Sequence, residues 1–232
     1  MKTNNVRRLS RRSVSWLSWL KIAAIAILLS GLAIYPGAAH ATSAESNAHV
    51  YLVRGVLNIF SLGMDEIAAK LQRQGITATV HNHTVWASIA DDAAAKYKSG
   101  RVKNIVLVGH SSGATSLPDI VARLGQQGVP VKLVIALDSV FRTNLAGRVG
   151  RYVNFYIAGG AGARVERTKG FQGKLENVNV ENLPGVSHLT IDKNQLMQQK
   201  IIAAIGAAVF SGGGMRRAGR GKKQPPVPGG SP

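Results

Sequence analysis

The sequence contains no cysteine, and this absence removes several kinds of chemistry at once. Without thiols the chain has no disulfide, no zinc–thiolate site and no cysteine nucleophile. A chain of 232 residues is long enough for one domain with appendages. A domain of that size buries a core large enough to be stable by packing alone. We therefore expect a fold that is held together by its hydrophobic core.

Acidic residues are also scarce: 11 Asp and Glu stand against 29 Lys and Arg, which gives a formal net charge of +18. Most of the excess lies at the two ends. Six cations precede residue 41 and five lie between residues 216 and 223, so that the remainder of the chain carries only +7. Aromatic residues make up 6% of the chain and are not interleaved with basic ones as in single-strand binders. The composition therefore predicts no nucleic-acid partner.

The first 41 residues have the features of a signal peptide. A basic head precedes the apolar stretch Ile22–Ile34, and the segment ends in Ala39-His40-Ala41, a small-x-small pattern. We predict cleavage after residue 41 and export to the periplasm or the exterior. An uncleaved membrane anchor is the alternative, although a span needs ~20 apolar residues. Arg11-Arg12 resembles a twin-arginine signal, but Ser15 replaces an apolar residue there, which favours the general secretory route.

The last 22 residues, 211–232, are rich in Gly, Pro, Arg and Lys. Such a segment has too few apolar groups to offset the entropy lost on ordering, which predicts a disordered, solvated tail. The alternative is an electrostatic tether to an anionic membrane or cell-envelope surface. Residues 42–48 are predicted to be a linker, and residues 49–210 the folded domain.

In the folded domain, short apolar runs alternate with segments of helical periodicity. The predicted strands are His49–Arg54, Ile76–Val80, Asn104–Val108, Val131–Leu137, Tyr152–Ile157 and, more weakly, Asn177–Val180. The predicted helices are Met64–Gln74, Val85–Tyr97, Ser116–Leu124 and Ile191–Phe210. This alternation predicts an α/β fold with a mainly parallel sheet of about six strands and helices on both faces. Functional side chains then collect at the carboxyl ends of the strands.

The strongest motif is Gly109-His110-Ser111-Ser112-Gly113, which follows a buried strand and opens a helix. This strand–turn–helix context is typical of a serine nucleophile. The turn is so tight that side chains two positions before and after the serine would collide with neighbouring elements, and glycine removes them. Ser111 would then lie near a helix N-terminus, where a developing negative charge is favoured. The alternative is a glycine-rich strand exit without catalysis.

A serine hydroxyl needs a base, and His188 is the best placed of six histidines because it lies after the last strand and before the last helix. The base in turn needs an acid. Asp138 ends the strand next to that of Ser111, and Glu166 is the fallback. The other acids considered, Glu181 and Asp192, flank the histidine. His188 and Asp138 also have ordinary alternatives, a loop histidine and a turn aspartate.

On these residues the chain resembles compact α/β-hydrolases of the lipase and esterase group. Gly109-His110-Ser111-Ser112-Gly113 is similar to the lipase nucleophile turn, and Ala136-Leu137-Asp138-Ser139 resembles the Gly-Leu-Asp-Pro stretch of animal triglyceride lipases. Most of the superfamily carries its acid one strand later, where this chain has Ala158-Gly159-Gly160. The resemblance covers residues 49–210 and implies a minimal α/β-hydrolase fold.

The resemblance also implies an oxyanion hole. One donor would be the backbone N–H of Ser112. The other would be the N–H of Val56, because Arg54-Gly55-Val56 resembles the His-Gly-x of lipases. Arg54 departs from that pattern, and its cation would either bind an anionic group of the substrate or pair with a surface acid.

Two further features carry weaker hypotheses. We expect the arginines in the segments after Asp138 and Ile157 to border the site, either as a surface for anionic substrates or, preferably, as a solvated loop surface. These are Arg142, Arg148, Arg151, Arg164 and Arg167. His81 and His83 do not suffice for a metal site, which wants three protein ligands, so neither a metal nor a cofactor is predicted.

The sequence thus predicts an exported serine hydrolase that cleaves carboxylic ester or thioester bonds of small-molecule or lipid substrates. A secreted acyltransferase on the same triad is a close variant. A non-catalytic binding protein on the same scaffold and a basic envelope adaptor acting through the tail are alternatives from other classes. No long insertion is available for a lid domain, which favours an open pocket.

Overall fold

A computed structural model describes residues 47–56, 61–141 and 143–210. The predicted signal peptide, most of the predicted linker, the basic tail and Arg142 lie outside the described residues. None of the helices in the described residues has both the length and the hydrophobicity of a membrane span.

The described chain alternates strands and helices. The strands are β1 (Ala48–Arg54), β2 (Thr77–Asn82), β3 (Asn104–His110), β4 (Val131–Leu137), β5 (Asn144–Tyr156) and β6 (Glu166–Asn179). The helices are α1 (Gly63–Arg73), α2 (Trp86–Lys98), α3 (Ser112–Gln126) and α4 (Gln195–Phe210), and a 3₁₀ turn, His83–Val85, precedes α2.

All six strands form one sheet in the order β2-β1-β3-β4-β5-β6, and every neighbouring pair is parallel. Each connection between successive strands from β1 to β4 contains a helix, which is the usual crossover between parallel strands. The predicted fold class, a parallel sheet of about six strands covered by helices, is confirmed. Because the strands are parallel, the segments that follow β1, β3, β4 and β6 meet at one edge of the sheet.

Two hydrophobic cores lie on opposite faces of the sheet. Val50 and Leu52 pack with α1 and α4 on one face, whereas Tyr51 and Val53 pack with α2 and α3 on the other. Successive side chains of a strand point to opposite faces, so a strand that is covered on both faces needs an unbroken apolar run. This explains why the central strands are uniformly hydrophobic and are the easiest to recognise in the sequence.

The last two strands differ from the others. They are 13 and 14 residues long, and only the later part of β5, from Val149 to Phe155, pairs with β4. The first part of β5 pairs with the first part of β6, for example Leu145 with Arg167, and register shifts follow on β5. Leu145 is nevertheless buried in the core that contains α3. A two-stranded ribbon therefore packs beside α3 where the sequence predicted loops.

The ribbon changes the expected position of the arginines. Val131, the first residue of β4, pairs with Val149, which lies between Arg148 and Arg151 in β5. These two arginines therefore lie near the amino end of the sheet, away from the edge where β3 ends. The expectation that they border the site was wrong for Arg148 and Arg151, because the segment after Asp138 is mostly strand and returns to the start of β4.

Candidate active site

The turn between β3 and α3 presents Ser111 in a strained conformation, with φ of 58° and ψ of −124°. Both glycines of the motif are required by close approaches. A Cβ on Gly109 would lie 2.6 Å from the carbonyl oxygen of Gly113, and a Cβ on Gly113 would lie 2.2 Å from that of Val53 in β1. Because real Cβ atoms do not approach backbone so closely, the turn is built for glycine at both positions.

The structure brings Ser111, His188 and Asp138 together. Nε2 of His188 lies 3.0 Å from Oγ of Ser111, and Nδ1 lies 2.7 Å from Oδ2 of Asp138. A carboxylate only accepts, so Nδ1 carries the ring proton in the neutral state and Nε2 accepts from the serine hydroxyl. This is the order of groups that a histidine needs to act as a general base.

The side chain of Asp138 is buried and held by the surrounding backbone. Its side chain is completely buried, and Oδ1 accepts a hydrogen bond of 2.9 Å from the N–H of Ile157. A Cβ on Gly162 would lie only 1.7 Å from that oxygen, so the loop after β5 closes directly over the carboxylate. Asp138 has φ of 49°, and among the described residues only Asp138 and Ser111 combine a side chain with positive φ. Backbone strain of this kind collects at functional sites.

Glu166 and Glu181, the other acids considered, do not bond to His188. Glu166 begins β6 and is exposed, and its N–H donates to the carbonyl oxygen of Thr143. Glu181 is exposed in the turn after β6, and its N–H donates to the side chain of Asn179. The carboxylate behind the histidine is therefore that of Asp138.

The segment after β1 lies directly against Ser111. A Cβ on Gly55 would lie 2.9 Å from Cβ of Ser111 and 3.3 Å from its Oγ. The N–H of Gly55 donates to Oγ of Ser61, so the next N–H along the chain is that of Val56, whose residue is exposed. Ser112 is the first residue of α3, where an N–H has no intrahelical partner. Both predicted oxyanion donors thus belong to segments that adjoin Ser111.

Arg54 was predicted to bind either the substrate or an acid, and the structure pairs it with Asp65 of α1. Its Nε lies 3.0 Å from Oδ2 of Asp65, and its Nη2 contacts Oδ1. The charge is therefore already matched by a carboxylate on the same chain. Sequence spacing gave no sign of this pair, because the contact depends on how α1 packs against β1.

His110, the residue before Ser111, is one of the five histidines that the sequence does not favour as the base. It is buried, with 1% of its surface exposed, and both ring nitrogens are hydrogen-bonded. Nδ1 lies 2.8 Å from Oγ of Ser61, and Nε2 lies 2.8 Å from the carbonyl oxygen of His188. The sequence does not predict these hydrogen bonds, since the carbonyl of His188 is 78 positions away from His110 in the chain.

Asp192, four residues after His188, is a second buried acid near the site. Its Oδ2 accepts from the N–H of Gly63 at the start of α1, and its Oδ1 is buried without a hydrogen-bond partner. Burial raises the pKa of Asp192 from its ordinary value of 3.8 to about 6. The folded protein therefore binds this proton more tightly than the unfolded chain does.

We expect an Asp192→Asn variant to gain stability relative to the wild type as pH rises. A raised folded pKa gives a stabilising contribution that is fully present below about pH 4 and is lost as pH rises through about 6. Asn still accepts from the Gly63 N–H but does not ionise. The difference in unfolding free energy should shift toward the variant by on the order of 2 kcal/mol between pH 4 and pH 7.5, measured by urea unfolding.

A Glu176→Gln variant is the control with the opposite sign. Hydrogen bonds from Arg151 and Lys174 lower the pKa of Glu176 to about 2. Its contribution to stability is therefore present above its unfolded pKa of about 4.5 and is lost as pH falls toward 2. If the difference in unfolding free energy between the wild type and Asp192→Asn stays constant from about pH 4 to pH 7.5, the raised pKa of Asp192 is contradicted.

Among residues 47–56, 61–141 and 143–210, no group of three His, Asp or Glu side chains is arranged to hold a metal ion. The groups that the structure brings together at the end of β3 are the hydroxyl of Ser111, the imidazole of His188 and the carboxylate of Asp138.

Six parallel strands, helices on both faces and a strained serine between β3 and α3 define an α/β-hydrolase-like fold. No protein-family model matches the sequence, and no curated protein matches it significantly. Solved structures with a similar arrangement include RedJ with PEG bound in the active site, at 11% identity and a TM-score of 0.47 over 72% of this chain and 94% of that one.

Two other similar structures are an acetylxylan esterase and BorB. The esterase is 17% identical, with a TM-score of 0.45 over 71% of this chain and 99% of that one. BorB, a type II thioesterase from the borrelidin biosynthetic cluster, is 9% identical, with a TM-score of 0.46 over 70% and 91%. At such identities the function has to be inferred from the site itself.

Proposed function

We propose that the protein is an exported serine hydrolase that cleaves carboxylic ester or thioester bonds through an acyl-enzyme. The observation that supports this most strongly is the continuous chain from Asp138 through His188 to Ser111, with contacts of 2.7 and 3.0 Å. The proposal of export depends on the basic and apolar composition of residues 1–41.

In this mechanism His188 Nε2 accepts the proton of Ser111 Oγ as the oxygen attacks the carbonyl carbon of the substrate. The carbonyl oxygen becomes an oxyanion, which the N–H groups of Ser112 and Val56 stabilise, helped by the amino end of α3. The tetrahedral intermediate collapses, and His188 returns the proton to the leaving alcohol or thiol. Water, deprotonated by the same nitrogen, then releases the acid and restores the serine.

Exposed apolar side chains surround the carboxyl edge of the sheet and favour an ester with an apolar group. Val56 and Leu62 follow β1, Phe141 follows β4, and Leu189 follows β6 directly after the proposed base. Each exposes at least half of its surface, and Phe141 exposes 67%. Large apolar groups left in solvent at a site are available to bury part of a ligand.

Labelling with a fluorophosphonate probe tests the proposed nucleophile. We expect the wild type to be labelled at one residue and the Ser111→Ala variant not at all, because only an activated hydroxyl attacks phosphorus at neutral pH. Ser116→Ala, which removes another buried hydroxyl in α3, serves as the control and should label normally. A folded wild type that resists the probe would favour the non-catalytic binding protein.

A series of p-nitrophenyl esters tests the apolar surroundings. We expect kcat/KM to rise about fourfold per CH₂ from acetate to hexanoate, since each buried CH₂ contributes about 0.8 kcal/mol. Phe141→Ala should flatten this rise. Phe210→Ala, which truncates an exposed phenylalanine at the end of α4, should leave it unchanged. An equal effect of both variants would rule out Phe141 as part of the acyl site.

A further inference from the structure

His110 lies at the centre of a hydrogen-bonded chain that joins two loops of the site. The N–H of Gly55 donates to Oγ of Ser61 over 3.1 Å, and that oxygen lies 2.8 Å from Nδ1 of His110. On the other side of the ring, Nε2 lies 2.8 Å from the carbonyl oxygen of His188. Ser61 and His110 are each only 1% exposed, so solvent does not compete for these bonds.

The direction of every bond in the chain is fixed by chemistry. Burial lowers the pKa of His110 to about 4, so the ring is neutral near pH 7. A carbonyl oxygen only accepts, which places the ring hydrogen on Nε2. Nδ1 must then accept the hydroxyl hydrogen of Ser61, and the lone pairs of that oxygen accept from Gly55. The chain therefore has a donor and an acceptor at every link.

The two ends of this hydrogen-bonded chain, Gly55 and His188, belong to different parts of the proposed chemistry. Gly55 precedes Val56, a proposed oxyanion donor, and packs against the nucleophile. The carbonyl at the other end belongs to His188, the proposed base. The same two segments meet again where Asp192 accepts from the N–H of Gly63. The chain through His110 is the nearer of these two connections to Ser111.

We propose that His110 is a positioning residue, which fixes the Gly55–Val56 backbone and the His188 backbone relative to each other through Ser61 and the His188 carbonyl. This inference depends on the proposed function of the same site. His110 is the second residue of the Gly109–Gly113 motif, and its role would be to keep the oxyanion donor and the base at fixed positions around Ser111. A displacement of about 1 Å at such a site costs on the order of 10²-fold in rate.

Graded variants test each link. Ser61→Ala removes the link to Gly55 and should lower kcat about tenfold. His110→Phe removes both ring links and should lower kcat about 100-fold. His110→Gln places an amide N–H where Nε2 lies and should recover at least part of the loss. KM for the same p-nitrophenyl ester should change less than threefold, because binding groups are untouched.

His49→Phe is the matched control for loss of a buried histidine. His49 is 4% exposed, burial lowers its pKa to about 4, and its Nε2 contacts Oγ1 of Thr79 between β1 and β2. Its substitution should lower the unfolding free energy to a similar degree as His110→Phe and leave kcat of the folded protein within twofold. Equal losses of kcat in the two variants, or a rise in KM with unchanged kcat, would overturn the proposal.

Amide hydrogen exchange separates this proposal from the proposed function. Exchange at Gly55 and around His188 should accelerate together in His110→Phe and not in His49→Phe. If the wild type is not labelled by the fluorophosphonate, the proposed function fails and exchange alone decides whether His110 joins the two segments. Unchanged exchange in both segments of a folded His110→Phe protein would overturn the positioning role.

Discussion

Replacing Asp138 with Asn is expected to lower kcat about 10⁴-fold while the protein remains folded. The buried carboxylate accepts from two donors at once, the N–H of Ile157 and Nδ1–H of His188. An amide offers one acceptor. If its oxygen serves Ile157, its NH₂ faces Nδ1, which must then accept. The ring hydrogen moves to Nε2, and a protonated Nε2 cannot take the proton of Ser111.

This outcome is measured as kcat on a p-nitrophenyl ester at saturating substrate, with circular dichroism to verify folding. Glu166→Gln is the control, because Glu166 is the other acid that the sequence offered for this part. Its side chain is exposed at the start of β6, and we expect kcat within twofold of the wild type. A large loss in Glu166→Gln together with an active Asp138→Asn would reassign the acid.

The Gly113→Ala substitution is expected to cost on the order of 3 kcal/mol or more in unfolding free energy. The added methyl would lie 2.2 Å from the carbonyl oxygen of Val53 and 2.8 Å from that of Arg54. Both are backbone atoms at the end of β1, which is paired with β3 in the centre of the sheet. No side chain can rotate out of the way, so relief requires breaking strand pairing or shifting α3.

Gly206→Ala is the matched control for this glycine. Gly206 also lies in a helix, α4, but a Cβ there would meet nothing within 4 Å. Alanine is favoured over glycine inside a helix by about 1 kcal/mol, so this variant should be more stable than the wild type. Urea unfolding of both variants decides the matter, and a Gly113→Ala protein of wild-type stability would mean that the turn is less tight than described.

The central strands and the nucleophile turn were predictable because their signals are local. Ile105 to Val108 form an unbroken apolar run, and Ser111 lies between glycines at fixed spacing directly after it. His188 and Asp138 could be nominated by chain order alone, since strand ends of a parallel sheet meet at one edge. These inferences needed no knowledge of how distant segments pack.

The ribbon of β5 and β6 could not be predicted for the opposite reason. Residues Glu166 to Gly170 are all exposed and mostly charged or polar, and they lack the alternation of a half-buried strand. They are extended because they pair with the first part of β5, and that pairing is invisible in either segment alone. The same holds for Arg54 with Asp65 and for His110 with the His188 carbonyl, since each contact is set by packing between elements.

The positive φ of Ser111 and Asp138 has a cost in stability. Glycine adopts a positive φ without the steric penalty of about 1–2 kcal/mol that a Cβ incurs. Considered for backbone conformation alone, both positions favour glycine. This protein keeps a hydroxyl and a carboxylate there, on opposite sides of one imidazole. The strained backbone at these two residues therefore lowers its free energy of unfolding, and they are the residues that the proposed chemistry needs.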